Sequence, residues 1–248
     1  MKQFLTTMLI SSALFISWCY ANIADENKVF IHFATSAEYP PFEYNERGEI
    51  KGFDIDLARL IAKQLGKEAI FDSMQFSSIL PALNASQVDV AISTLTITEP
   101  RKKNFDFSEP YYFESLAVVF DEQKPINNAQ QLRGKKIAVQ LGSTMEIWLK
   151  KNVPNANILV IDNNNQAIAA LKARHVDVVL LDGAQGAVFS QKNPGLSFRI
   201  ISQSNDGYGL ALKKNSVLTY EINKALHALE QNGELAKLKQ KWFGGTHG

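Results

Sequence analysis

Apolar residues along this chain fall into two alternating patterns. Short apolar runs such as 88–92 and 176–181 predict buried strands. Longer stretches such as 54–65 carry apolar residues at helical spacing, and Gly66 follows the last of them, as at a helix end. The aromatic segment 104–112 is predicted to be a turn. The predicted strands are 29–34, 88–92, 115–120, 137–141, 158–161, 176–181 and 207–212, and the predicted helices are 54–65, 76–84, 144–151, 167–173 and 217–242.

The order of these elements predicts an α/β protein with mostly parallel sheet. Two successive strand–helix sets, at 28–112 and 118–205, precede the long terminal helix. A terminal helix in this position can return to the first set and complete it. We therefore expect two chain crossings between two units, near 113–117 and 203–208.

The N-terminal residues differ in composition from the rest of the chain. Lys2 precedes an uncharged segment, 4–18, which is rich in Leu, Ile and Phe and ends shortly before Ala21. This segment is short for a membrane span, which needs about 20 residues. The layout predicts a cleaved secretory signal at 1–21 and export to the periplasm. Trp18 precedes Cys19 where a lipoprotein signal needs a small residue, so lipid attachment is not expected.

Composition excludes several classes of function. The chain has 248 residues, with 26 Lys+Arg against 25 Asp+Glu, and this near-neutral charge argues against a surface that binds nucleic acid. The single Cys excludes an intramolecular disulfide and any multi-Cys metal site. The four His residues lack the spacing of zinc ligands, and no phosphate-binding loop is present. No cofactor or metal is expected.

A series of short motifs spans the chain after the signal. The most specific is Gly52-Phe53-Asp54-Ile55-Asp56-Leu57, and further motifs follow in order at 39–44, 80–83, 88–92, 96–101, 107–112, 142–144 and 241–244. Together they closely resemble the solute-binding proteins of amino-acid ABC importers, the family 3 group. The resemblance covers essentially the whole mature chain.

This resemblance implies a two-lobed periplasmic-binding-protein fold, in which two hinge crossings let the lobes close on a ligand. The first lobe is expected to comprise 22–114 and 207–248. The second lobe is expected to comprise 115–206. The two crossings inferred from the element order agree with this division.

A free amino acid presents a carboxylate and an ammonium, and burying either charge unpaired costs several kcal/mol. In the family, the residue matching Arg101 binds the carboxylate, for which a guanidinium fork is well suited. Thr96 and Thr144 are expected to assist it from the two lobes. Asp182, at a strand end, is expected to hold the ammonium. From its spacing alone, Asp182 is equally compatible with a plain turn.

Tyr39 and Phe76 match two aromatic walls that enclose the ligand side chain in the family. A planar cation stacks well in such a slot, at roughly 0.5–2 kcal/mol per contact. The alternative for both residues is an ordinary core aromatic.

Ligand specificity rests on neighbouring polar residues. Relatives that bind lysine, arginine, ornithine or glutamine often carry Asp at the position of Ser36. Glu38 is an alternative source of negative charge, or simply a solvated carboxylate. Ser93 and Thr94 begin a segment similar to that of the basic-amino-acid binders, and Gln140 is a further polar neighbour.

The resemblance therefore implies a monomeric receptor for a cationic amino acid, arginine first, within the arginine, lysine and ornithine class. It would deliver this ligand to the permease of an ABC importer in the inner membrane and would not be an enzyme. One alternative is a binding protein for glutamine or another polar amino acid. Another is a secreted cyclohexadienyl dehydratase on the same fold, which needs an acid to protonate a leaving group.

Overall fold

The structure, a computed structural model, describes residues 29–244, so the predicted signal at 1–21 lies outside the described residues. The strands are β1 (Phe30–Thr35), β2 (Glu38–Tyr39), β3 (Glu43–Glu46), β4 (Glu49–Lys51), β5 (Glu68–Ser73), β6 (Val90–Ala91), β7 (Phe105–Phe107), β8 (Tyr112–Asp121), β9 (Lys136–Gln140), β10 (Asn157–Ile161), β11 (Val178–Asp182), β12 (Leu196–Tyr208) and β13 (Ala211–Lys213). The helices are α1 (Phe53–Gln64), α2 (Phe76–Asn84), α3 (Glu99–Lys102), α4 (Thr144–Asn152), α5 (Asn164–Lys172), α6 (Gly183–Lys192), α7 (Leu218–Gln231) and α8 (Glu234–Phe243). Within 29–244, no helix combines the length and apolar character needed to span a membrane.

The strands form two five-stranded sheets and one small sheet. The first large sheet has the order β5-β1-β6-β13-β7, the second has the order β10-β9-β11-β8-β12, and the small sheet is β2-β3-β4. In the large sheets, the pairings of β1 and β9 are parallel, whereas every pairing made by β8, β12 or β13 is antiparallel. The prediction of mostly parallel sheet was therefore wrong. β8, β12 and β13 enter their sheets from the crossings between the lobes. A strand that enters in this way needs no crossover helix and can pair antiparallel with its neighbours.

Two long strands connect the large sheets. β8 has 10 residues and β12 has 13, and they pair from Leu196 opposite Asp121 to Tyr208 opposite Tyr112. At its far end, β12 bridges to Thr96 beside the first sheet. The two predicted crossings are thus one pair of antiparallel strands, interrupted by a register shift between Gln203 and Gly207. The division of the chain at 114/115 and 206/207 stays a prediction.

The terminal helical segment packs against α1, and its assignment to the first lobe stays a prediction. It is broken in two, because Gly233 adopts a left-handed conformation (φ 78°) between α7 and α8. Glycine adopts such a φ without the steric cost that other residues incur. Both helices contact α1, whose apolar stripe is buried.

Several elements were absent from the sequence prediction, among them the short strands β2 to β4, the short helix α3, and β5, β7 and α6. β5 and β7 are edge strands whose residues are mostly half-buried, so they lack a continuous apolar run. β7 replaces part of the predicted turn at 104–112. α6 contains Gly183 and Gly186, which lower helix propensity. Gly186 lies close to β12, since a Cβ at this position would be 3.2 Å from the Phe198 ring.

Candidate functional site

A small cavity lies between the two large sheets. Its wall contains most of the site residues predicted from the sequence. The lining residues are Tyr39, Phe76, Thr94, Thr96, Arg101, Gln140, Ser143, Thr144, Met145 and Asp182. Ser143 and Met145 were missed, although they flank Thr144 at the helix start; Ser36, Glu38 and Ser93 were predicted for the site but do not line the cavity.

The ends of regular elements position these side chains. Gln140 and Asp182 are the last residues of β9 and β11, which pair in parallel, so both lie at the same edge of the second sheet. Phe76 and Thr144 are the first residues of α2 and α4. Groups distant in sequence therefore converge at sheet edges and helix N-termini, where backbone N–H groups are available to a ligand.

Arg101 holds its guanidinium at one end of the cavity. Its Nη1 donates to the carbonyl of Thr96 at 2.9 Å, and its Nη2 donates to the carbonyl of Gly142 at 3.1 Å. The guanidinium carbon lies 6.0 Å from the centre of the Phe76 ring. Burial lowers the pKa of Arg101 to about 10, so it stays charged at neutral pH. Among the described residues, no carboxylate lies within 4.0 Å of it.

Hydroxyl groups from both lobes meet near this cation. The Oγ1 atoms of Thr96 and Thr144 are 3.2 Å apart, and Thr144 opens α4. Ser143 caps that helix by accepting a hydrogen bond from the N–H of Glu146, and its own hydroxyl donates to the carbonyl of Gln140 at 2.7 Å. A guanidinium, two hydroxyls and a helix N-terminus together suit a carboxylate.

Asp182 contacts the first lobe through two tyrosines. Its Oδ2 accepts a hydrogen bond from the hydroxyl of Tyr39 at 2.5 Å and another from the hydroxyl of Tyr208. Asp182 is 7% exposed. The Tyr39 ring packs at 6.4 Å from Phe42 in the core of the first lobe, so this residue is both a core aromatic and a cavity residue. Sequence reasoning missed Tyr208, for which no motif gave a signal.

Glu38 lies beside the cavity and bridges the lobes. One carboxylate oxygen accepts from Gln140 Nε2 at 3.0 Å, and the other accepts from Asn163 Nδ2. Burial raises the pKa of Glu38 to about 7, despite these bonds and a further one from the backbone of Asn164. Contact between Glu38 and a ligand stays a prediction. Gln140 would mediate it, because Gln140 lines the cavity and donates to the Glu38 carboxyl group.

Ser36 and Ser93 lie behind the cavity wall and are both buried. The hydroxyl of Ser93 accepts from the N–H of Ser36 at 3.0 Å and donates to Glu43 at 2.8 Å. The Ser93 side chain is therefore bonded to the interior of the first lobe, and Ser36 is bonded to it through its backbone N–H. Their predicted contact with a ligand is not seen in this geometry, and of this segment Thr94 and Thr96 reach the cavity.

No cluster of three or more His, Cys, Asp or Glu suited to a metal ion occurs in the part of the chain that the structure describes. The cavity itself is lined by charged and polar side chains together with Tyr39, Phe76 and Met145. One cation and one carboxylate at separate points of a small cavity match the two charges of a zwitterion.

Comparison with known proteins identifies the family. Residues 31–245 match the model of the bacterial extracellular solute-binding proteins, family 3. The arginine-binding extracellular protein ArtP of Bacillus subtilis (strain 168) is 36% identical over 227 residues, which cover 90% of this chain and 89% of that protein.

Solved structures agree with this match. An ancestral arginine-binding protein bound to glutamine has a TM-score of 0.85 and 40% identity, covering 88% of this chain and 99% of that chain. An ancestral arginine-binding protein bound to arginine has a TM-score of 0.83 and 39% identity, covering 87% of this chain and 99% of that chain. The predicted two-lobed α/β fold is confirmed. The chain therefore belongs to the bacterial extracellular solute-binding proteins of family 3.

Proposed function

We propose that this protein is an extracytoplasmic receptor that binds a free amino acid, arginine first, and delivers it to the permease of an ABC importer. The observation that supports this most strongly is that Arg101 and Asp182 line the same cavity. A cation and a carboxylate placed in this way are complementary to the carboxylate and the ammonium of one amino acid.

The ligand carboxylate is assigned to Arg101, Thr96 and Thr144. The guanidinium now donates to two carbonyl groups, which are weaker partners than a carboxylate because they carry no formal charge. A carboxylate at this point would neutralise a cation that has been partly removed from water.

The ligand ammonium is assigned to Asp182. The hydroxyls of Tyr39 and Tyr208 hold this carboxyl group in place, and the ammonium supplies a charged donor next to it. This pairing involves both lobes, since Asp182 ends a strand of the second sheet and Tyr39 belongs to the first lobe.

The preference for arginine rests on Gln140, which connects the cavity to the Glu38 carboxyl group. The Phe76 ring, 6.0 Å from the Arg101 guanidinium carbon, lies at the end assigned to the ligand carboxylate. The Glu38 carboxyl group is partly buried and has no cationic partner among the described residues, so a positively charged ligand would stabilise its ionised form. The similar ancestral arginine-binding protein bound to glutamine makes that amino acid the first competitor.

Export and delivery complete the proposal. The segment 1–21 is proposed as the signal removed on export, and the mature protein is proposed to act as a monomer in the periplasm. Ligand binding selects the closed arrangement of the lobes, which is the form presented to the permease.

A thermal-shift panel of the standard amino acids on purified mature protein tests this proposal. Arginine at about 100 times its Kd should raise Tm by about 5–10 °C, because a ligand selective for the native state stabilises it by about 2.7 kcal/mol. No shift with any amino acid would contradict receptor function. Turnover of prephenate by the same sample would favour the dehydratase alternative instead.

A further inference from the structure

Two acidic side chains are buried together behind the cavity. Glu43, the first residue of β3, is 1% exposed, and Asp54, in the first turn of α1, is 0% exposed. Within the described part of the chain, neither has a Lys, Arg or His within ion-pair distance. Buried acids without a cationic partner are rare, because removing a carboxylate from water costs several kcal/mol.

The backbone brings these two acids together. The N–H of Asp54 donates to the carbonyl of Phe42 at 2.9 Å, and the N–H of Phe53 donates to the carbonyl of Pro41 at 3.0 Å. Gly52 permits this approach, because a Cβ at that position would lie 2.0 Å from the Phe42 carbonyl oxygen and its φ is 136°. The start of α1 is thus locked onto the turn that precedes Glu43.

Each acid also holds the segment that lines the cavity. Asp54 Oδ2 accepts from the N–H of Thr94 at 2.9 Å and from the hydroxyl of Tyr111 at 2.8 Å. Glu43 Oε1 accepts from the hydroxyl of Ser93 at 2.8 Å. Thr94 has a positive φ of 47°, which is unfavourable for a β-branched residue, so its conformation depends on such contacts.

The remaining oxygens, Glu43 Oε2 and Asp54 Oδ1, are buried and accept no hydrogen bond from a donor in the described chain. The contact of Gly52 and Asp54 with the backbone of Phe42 and Glu43 places the two buried carboxyl groups beside each other, and the charge of Asp54 contributes to the raised pKa of Glu43. Two carboxyl groups can share a hydrogen bond only when one of them is protonated. We propose that Glu43 and Asp54 form an acid pair that holds one proton and positions Ser93 and Thr94 at the ligand cavity.

The proton is assigned to Glu43 and the charge to Asp54. Burial, followed by repulsion from Asp54 and a weaker effect of Asp182, raises the pKa of Glu43 well above its usual range. Burial raises the pKa of Asp54 only to about 6, because the Thr94 N–H, the Tyr111 hydroxyl and Glu43 stabilise its charged form. Asp54 is therefore the charged anchor of Thr94, and Glu43 is the neutral donor. The effect of the pair on ligand affinity rests on the proposed function.

Two isosteric variants separate these roles. Glu43→Gln keeps a donor towards Asp54 and an acceptor towards Ser93, so its arginine affinity should stay within about threefold of wild type. Asp54→Asn removes the charged acceptor of Thr94 and should weaken arginine binding by about tenfold or more. Wild-type affinity should also fall as pH decreases through about 6, where Asp54 gains a proton. An equal loss of affinity in both variants would overturn the assignment of the charge to Asp54.

A proton count without ligand tests the pair by itself. The folded protein keeps the Glu43 proton at pH 7, whereas the unfolded chain releases it, so wild-type stability should fall as pH rises. In urea unfolding between pH 6.5 and 8, this slope should be smaller in Glu43→Gln by about one proton. Glu49→Gln, at an exposed position on the neighbouring strand β4, should leave the slope unchanged. Equal slopes in wild type and Glu43→Gln would overturn the proposal, whether or not any amino acid binds.

Discussion

The two lobes contribute to the cavity in different ways. In the first lobe, Arg101 is held by the carbonyl of Thr96 and Thr94 by Asp54, both within that lobe, although Arg101 also reaches Gly142. In the second lobe, Asp182 is held by tyrosines of the first lobe. In the proposed closure, the first-lobe half of the site would therefore be present beforehand, and the second-lobe half would gain its partners. Ligand should dock on the first lobe and then recruit the second.

The cores of the lobes show the same contrast. The first is rich in aromatic residues, with Phe42 and Phe53 packed around Phe243, whereas the second is mostly aliphatic. Tyr112 and Tyr208, at the first-lobe ends of the two connecting strands, stack at 6.2 Å beside this aromatic cluster. The connecting strands are thus fixed at both ends, by this aromatic cluster in the first lobe and by sheet pairing in the second.

Removing the preformed cation should have the largest effect. Arg101→Ala should weaken binding of every amino acid by about 2–5 kcal/mol, or roughly 30-fold to several thousand-fold, because the buried carboxylate loses its charged partner. Isothermal titration measures the loss. Arg199→Ala is the control, because Arg199 is exposed on β12. Binding within about threefold of wild type in Arg101→Ala would remove the basis of the comparison between the lobes.

A second-lobe variant should have a smaller effect of a different kind. Asp182→Asn can still accept hydrogen bonds from both tyrosines but loses its charge, so affinity should fall by about 10- to 100-fold. The loss should appear mainly in the dissociation rate, since ligand still docks on the first lobe. Stopped-flow fluorescence measures both rates, with Asp177→Asn as an exposed control before β11. A loss confined to the association rate would reverse the proposed order of docking.

Much of this contrast was predictable from the sequence, because the motifs contain both Arg101 and the first-lobe aromatics. Buried strands such as β11 were predicted because both faces are apolar. The edge strands β5 and β7 were not predicted, because their pairing with neighbouring strands, rather than their amino-acid composition, makes them strands. Tyr208 and the Glu43–Asp54 pair were also missed. Contacts between distant residues depend on backbone geometry, here the close approach that Gly52 allows, and no local pattern encodes that geometry.

The specificity assigned to Glu38 predicts a more selective change. Glu38→Gln should weaken arginine binding by about tenfold and leave glutamine binding within about twofold, because only the cationic side chain needs the negative charge. Competition titrations with both amino acids measure the ratio, with Glu49→Gln as the exposed control. Equal effects on both ligands would show that Glu38 stabilises closure through Gln140 and Asn163 rather than selecting the ligand.

The protonation of Glu38 gives the smallest expected effect. In the closed arrangement its pKa is about 7, mainly because of burial, whereas an open cleft would return it towards 4.5. Closure on a neutral ligand should therefore take up protons between these pH values, so glutamine affinity should fall by about twofold from pH 6.5 to 7.5, a range above the pKa of Asp54, with solvent screening limiting the effect. Arginine should reduce this uptake, because its cation favours ionised Glu38. Titration calorimetry in buffers of different ionisation enthalpy counts these protons, and equal uptake for both ligands would place the arginine side chain away from Glu38.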